Sequence, residues 1–162
     1  WSREVFGWNG CTIGLSLSAY GILIALVQGF VLPRLSRRFG DFPVLVFGMI
    51  CTLIGFVGFG LASAVLVVAL VMPIAALSDM VPPLLTAFAA NRVEEDRQGL
   101  VQGVIASLSS IAAVAAPLLM TGIFEHFVSE SGVYLPGAPF LLSALLVFFT
   151  LPLVYRLRSQ SH

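Results

Sequence analysis

Apolar residues run along this chain in five long blocks separated by short polar segments. The blocks lie at about 10–32, 43–62, 64–90, 100–123 and 138–155. At a rise of 1.5 Å per residue, a helix needs about 20 apolar residues to cross the hydrocarbon of a bilayer, and each block is long enough. Lipid offers no partner to backbone N–H and C=O groups, so segments at that depth must bond internally. The pattern predicts an all-α membrane protein with five transmembrane helices.

Composition strengthens this reading. Of 162 residues, 59% are hydrophobic and 10% charged, against roughly 25% charged in soluble domains. A soluble domain of this size has too much surface to hide so many apolar side chains. The net charge is zero, so the basic footprint of a nucleic-acid binder is absent. Cys11 and Cys51 both lie in apolar blocks and read as small buried hydrophobes rather than as a disulfide or metal pair. His126 and His162 stand outside the blocks with no ligand cluster around them, which argues against a metal site. No Gly-rich phosphate loop, nucleophile elbow or HExxH pair occurs, so neither an enzyme nor a cofactor is expected. The opening Trp1–Trp8 lacks the charged head and apolar run of a signal peptide. The chain reads as an internal piece of a longer protein.

Charge placement orients the spans. All eight basic residues are arginines. Arg34, Arg37 and Arg38 follow the first span, Arg92 and Arg97 the third, Arg156 and Arg158 the fifth. The opposite side carries Arg3 with Glu4, Glu125, His126 and Glu130. The positive-inside rule puts the Arg-rich loops and the C-terminus in the cytoplasm of a cell (inner) membrane, and the chain start outside. One more helix upstream would complete a six-helix unit with both ends inside.

Small residues recur at four-residue spacing: Gly10, Gly14 and Ser18, then Gly21, Ala25 and Gly29, and on the fourth span Gly99, Gly103 and Ser107. Such stripes let helices approach closely in lipid, or slide in a moving protein. Pro73, Pro82 and Pro83 in the third span and Pro117 in the fourth each lack an N–H donor and clash one turn back. They predict broken helices of the kind that line cavities in transporters.

Asp79 is the one ionisable residue in the interior of any span. A charge there costs about 3 kcal/mol on insertion scales. A carboxyl group in a low dielectric favours its neutral form, so Asp79 is a candidate proton or cation site. The plainer reading is a hydrogen-bonded Asp capping the turn before Pro82 and Pro83. Gln28 and Thr52 are candidate cavity-lining residues. For Gln28 the plainer reading is an interhelical hydrogen bond, worth about 1 kcal/mol in membranes.

Two stretches carry a family resemblance. Ile13-Gly-Leu-Ser-Leu-Ser-Ala-Tyr-Gly-Ile-Leu-Ile-Ala-Leu-Val-Gln28-Gly-Phe-Val31 and Asn91-Arg-Val-Glu-Glu-Asp-Arg-Gln-Gly-Leu-Val-Gln-Gly103 resemble the C-terminal half of tetracycline-efflux transporters of the major facilitator superfamily. Pro136-Gly-Ala-Pro-Phe140, opening the last block, fits the same branch. The resemblance implies that residues 1–162 form most of the C-terminal six-helix bundle, its eighth to twelfth helices. The N-terminal half and one preceding helix would lie outside this chain. It implies proton-coupled efflux of small amphipathic compounds by alternating access. The expected partners are the lipid bilayer, the missing half, a small-molecule substrate and protons, with no nucleic acid.

Pro33-Arg-Leu-Ser-Arg-Arg-Phe-Gly-Asp41 resembles the superfamily's cytoplasmic loop motif. Arg38 and Asp41, with Glu95 and Asp96 of the next cytoplasmic loop, are therefore candidates for a latch that forms in one conformation and breaks in the other. Gln28 and Pro83 match the family pattern. Ile24 stands where those exporters carry His, Thr52 where they carry Asp, and Thr86 where they usually carry Gln, while Asp79 is additional. Those departures leave open the transport of a metabolite or other organic solute, or a non-transporting receptor or scaffold with a transporter fold.

Overall fold

The computed structural model describes residues 1–130 and 134–159. His162 lies outside the described residues, as do the side chains of Glu130 and Arg158. Among the described residues there is no strand. Five helical stretches are long and apolar enough to cross a membrane: Gly10–Phe39, Asp41–Gly60, Val65–Ala90, Glu95–Ser129 and Ala138–Arg156.

A short helix α1 (Ser2–Phe6) precedes the first span and ends at Gly7, whose φ of 63° suits glycine. Helix α2 (Gly10–Leu26) starts at Asn9, whose side chain accepts from the Thr12 N–H at 2.9 Å and so caps the first turn. A π turn, Val27–Val31, joins it to α3 (Leu32–Phe39). Pro33 has no N–H for the Gly29 carbonyl and its ring presses on it. Widening this turn accommodates the ring while the helix continues. The first span therefore runs past residue 32. Arg34, Arg37 and Arg38 sit on its helical extension rather than in a loop, and the chain turns at Gly40, where φ is 82°.

Helix α4 (Asp41–Gly60) forms the second span. The third is split into α5 (Val65–Ser78) and α6 (Val81–Ala90). A 3₁₀ turn, Glu95–Arg97, leads into α7 (Gln98–Glu125), which passes into a π turn at His126–Glu130. The last span is α8 (Ala138–Ser159).

The centre of the bundle is α4, which packs against α5, α6 and α8. Its glycines make this possible. A Cβ on Gly55 would stand 3.4 Å from the Ala75 Cα, and one on Gly58 would meet the Val71 side chain at 2.6 Å. At the end of α4 the Gly60 carbonyl lies against Gly137, at a separation that leaves no room for a side chain on Gly137. The stripes singled out in the sequence behave differently. Gly10, Gly14, Gly21, Gly29, Gly99 and Gly103 have open space where a side chain would stand. The close packing expected of them is found instead on α4, where Gly48, Gly55 and Gly58 do not repeat every four residues.

Pro73 and Pro117 lie inside continuous helices, against the expectation that they break their spans. Only the Pro82–Pro83 pair divides a span. One proline removes one helical bond; two in succession remove two neighbouring bonds, and the helix restarts with proline in its first turn, where a missing N–H costs nothing. Just below the break, Met80 is fully buried and joins Val27, Val44, Leu45, Ala76 and Leu84 in the hydrophobic core. This anchor fixes the position of its neighbour, Asp79. Cys51 is buried as expected, but Cys11 is exposed on α2. No residue of α7 is buried against the rest of the chain.

Candidate substrate and proton site at the break in the third span

Pro82 and Pro83 cannot donate to the carbonyls of Ser78 and Asp79, one turn earlier. Immediately upstream the helix tightens: the Asp79 N–H bonds the Ala76 carbonyl at 3.2 Å and the Met80 N–H bonds Leu77 at 3.4 Å. The Ala75 carbonyl thereby loses its usual donor. Side chains make up the deficit. Ser78 Oγ donates to the Ala75 carbonyl at 2.6 Å. Tyr20, reaching across from α2, places its hydroxyl 3.3 Å from the same oxygen. Gln28 Nε2, on the π turn, donates to the Asp79 backbone carbonyl at 3.1 Å.

The Asp79 side chain points into a cavity of about 430 Å³. Tyr20 donates to its Oδ2 at 2.9 Å. The wall also includes Thr52, Phe56, Phe59, Ser78 and Phe140. Thr52 faces the cavity, but its hydroxyl is bonded to the Gly48 carbonyl of its own helix at 2.9 Å. Phe59 and Phe140 pack ring to ring at 5.8 Å, and Trp1 closes the group at 5.2 Å from Phe140. A second cavity, about 440 Å³, lies between α7 and α8 and shares Phe56 and Phe140 with the first.

The structure thus brings together two of the three predicted lining residues, Thr52 and Asp79. Gln28 touches the site from behind, through backbone, and does not line the cavity. Tyr20 was missed in the sequence. Its signal was position: Tyr20, Ile24 and Gln28 recur at four-residue spacing and lie near one face of the first span. That face meets the broken helix.

The latch candidates remain apart. The Arg38 guanidinium lies over the Phe39 ring, 5.4 Å from its centre. Asp41 opens α4, where a carboxylate suits the helix N-terminus, and borders a shallow cavity with Phe88, Asn91 and Arg92. Glu95 and Asp96 sit in the turn before α7. Among the described residues no ion pair joins Arg38, Asp41, Glu95 and Asp96 in this conformation.

The family model described as Major Facilitator Superfamily matches residues 2–161. The chain belongs to the Major Facilitator Superfamily. It is a multi-pass membrane protein of a transporter family. It is similar to the class G tetracycline resistance protein of Vibrio anguillarum, with 32% identity over 156 residues, covering 96% of this chain and 39% of that protein. The class C tetracycline resistance protein of Escherichia coli is 32% identical over 154 residues, covering 95% and 38%. The human hippocampus abundant transcript-like protein 1 is 25% identical over 163 residues, covering 91% and 32%. The chain spans about two fifths of the length of these tetracycline resistance relatives. No solved structure matches it significantly.

Gln28 and Pro83, which the sequence resemblance singles out together, meet at one backbone carbonyl. Pro83 orphans the Asp79 carbonyl and Gln28 satisfies it. Of the departing positions, Thr86 bonds back to the Pro82 carbonyl at 3.0 Å and Ile24 stands between Tyr20 and Gln28 on the first span.

Proposed function

We propose that this chain is part of a proton-coupled secondary transporter that exports small amphipathic compounds by alternating access. The observation that carries this reading is the Asp79 carboxyl group, set on a cavity wall where the third span breaks. Asp79 is the proton carrier. The Tyr20 hydroxyl has two acceptors within reach, Asp79 Oδ2 and the Ala75 carbonyl. When Asp79 is ionised, Tyr20 donates to it. When Asp79 holds a proton, Tyr20 accepts from it and turns its own hydrogen to Ala75. Both states keep their hydrogen bonds, which suits a group that must load and release a proton.

The chain supplies the last five of twelve spans, and an N-terminal half closes the cavity. The open faces of α2 and α7, with glycines that meet no described residue, support that arrangement, as does coverage of 39% of the class G relative's length. The Arg-rich ends and the C-terminus face the cytoplasm. Arg38, Asp41, Glu95 and Asp96 pair in the opposite conformation, as rocking of the two halves closes the cytoplasmic side.

A second reading keeps the fold and changes the cargo to a metabolite or other organic solute, or removes transport altogether. Ile24 and Thr52 favour it, because they replace polar lining that the tetracycline-efflux pattern contains. A substrate screen on the natural full-length chain in vesicles, read through proton movement, decides between the two. Proton movement driven by small amphipathic compounds supports export; proton movement driven only by metabolites or other organic solutes, or no proton response at all, supports the second reading.

A further inference from the structure

The turn at Gly40 sets an apolar groove beside a basic helix. Leu35 and Phe39 on α3, with Pro43, Val44 and Phe47 on α4, line a cavity of about 360 Å³. Val44 is buried, while the Phe39 and Phe47 rings are 59% and 43% exposed. Arg34, Arg37 and Arg38 stand on the same helix as Leu35 and Phe39. The Arg38 guanidinium lies over the Phe39 ring, so the basic and apolar surfaces meet at one side chain. A guanidinium group carries several N–H donors. Arg34 commits one to the Phe30 carbonyl at 2.9 Å and Arg37 one to the Pro33 carbonyl at 3.1 Å. Among the described residues no carboxylate pairs with any of the three arginines. Asp41, across the turn, borders a different cavity with Arg92.

The first span covers 30 residues, Gly10–Phe39. At 1.5 Å per residue that is about 45 Å, longer than the roughly 30 Å hydrocarbon core. The excess falls at the α3 end, because guanidinium groups are costly in hydrocarbon and reach for the headgroup layer. The groove beside them therefore begins at headgroup depth, and Phe47, one turn along α4 from Pro43, lies deeper. A soluble anion would pair with the arginines and leave the rings bare. A zwitterionic lipid would cover the rings but bring its own cation against three guanidinium groups. A lipid with an anionic headgroup satisfies both surfaces. Guanidinium forks bond phosphate oxygens in pairs, and an acyl chain covers the exposed rings. We propose that the groove between α3 and α4 binds one anionic glycerophospholipid, with its phosphodiester on Arg34 and Arg38 and one acyl chain along Leu35, Phe39, Pro43 and Phe47. This site needs only that the chain spans a membrane and is independent of the cargo.

The test uses the natural full-length chain in detergent with equal amounts of dioleoylphosphatidylglycerol and dioleoylphosphatidylcholine, and native mass spectrometry reads the lipid retained. One phosphatidylglycerol is expected to stay bound, preferred at least tenfold. Each basic residue near an anionic lipid contributes about fivefold, so Arg34→Gln with Arg38→Gln should bring the preference below twofold. Arg97→Gln, in the turn before α7, should leave it unchanged. Phe47→Ala should weaken retention severalfold while the preference between headgroups persists; this variant carries the test if the arginine variant does not fold. A photoreactive phosphatidylglycerol should cross-link within residues 35–47. Equal retention of both lipids by the wild type overturns the proposal, as does a loss in Arg97→Gln as large as in the arginine pair, which would mean general charge attraction. Displacement by inorganic phosphate also overturns it, because the groove would then contribute nothing. Cross-links confined to other segments overturn it too, since the groove would be covered by protein. Lipid retention is read without transport, so failure here leaves the proposed transport intact, and failure of transport leaves the lipid site intact.

Discussion

Gln28 donates its side-chain amide to the backbone carbonyl of Asp79 at 3.1 Å, the carbonyl that Pro83 leaves without a helical donor. A residue on the first span thus repairs a defect in the third, and the repair holds Asp79 in place. Removing the amide in Gln28→Ala should cost about 1 kcal/mol, the usual worth of an interhelical hydrogen bond in a membrane. In a Pro83→Ala background the restored N–H can bond the carbonyl instead, and the cost should fall by at least half. Denaturation of all four variants in detergent gives the coupling directly. The same loss in both backgrounds would show that Gln28 acts elsewhere.

Tyr20→Phe keeps the ring and removes the one described donor to the Asp79 carboxyl group. Hydrogen bonds to charged groups contribute about 1.5–3 kcal/mol. Proton-coupled transport should therefore fall about tenfold or more, since 1.4 kcal/mol corresponds to a factor of ten. Vesicle uptake rates, normalised to protein amount, check this. Undiminished transport would mean that Asp79 needs no partner on α2.

The glycines at the contacts of α4 should differ in tolerance. A Cβ on Gly55 meets Ala75 at 3.4 Å, a contact that small shifts accommodate. A Cβ on Gly137 would strike the backbone of Gly60, which cannot rotate away as a side chain can. Gly137→Ala should destabilise by about 1–3 kcal/mol, in the range of overpacking, and Gly55→Ala by less. Melting temperatures of the two variants give the order, and the reverse order would show that the α4–α8 contact yields more readily than the α4–α5 contact.

Cys11 and Cys51 report on orientation. Cys11 is exposed in the first turn of α2 and Cys51 is buried in α4. With the chain start outside, a membrane-impermeant maleimide should label Cys11 in intact cells and leave Cys51 unmodified. Labelling of Cys11 only in inverted vesicles would place the Arg-rich ends outside.

The five spans were legible because lipid imposes one rule on every residue of a span, so hydrophobicity alone locates it. Asp79 was legible for the same reason, as a charge where none should be. The break beside it followed from Pro82–Pro83. Tyr20 was not legible, because a tyrosine in an apolar block reads as packing until its partner is known, and that partner lies 59 positions away. Glycine stripes misled for a related reason. Repetition on α2 and α7 indicates a surface able to pack, while contact depends on which helix faces it. On α4, Gly48, Gly55 and Gly58 each match one particular neighbour, and such pairing leaves no regular period. The extension of the first span through Arg38 was hidden by Pro33, which normally ends a helix and here sits just beyond a π turn.

The central claim is that Asp79 carries the proton. It is tested most directly by reconstituting the natural full-length chain in vesicles with an imposed pH gradient and comparing substrate-coupled proton flux in wild type and Asp79→Asn. The expected result is flux in the wild type and its loss in a variant that still folds and inserts. Equal flux in both would contradict the account.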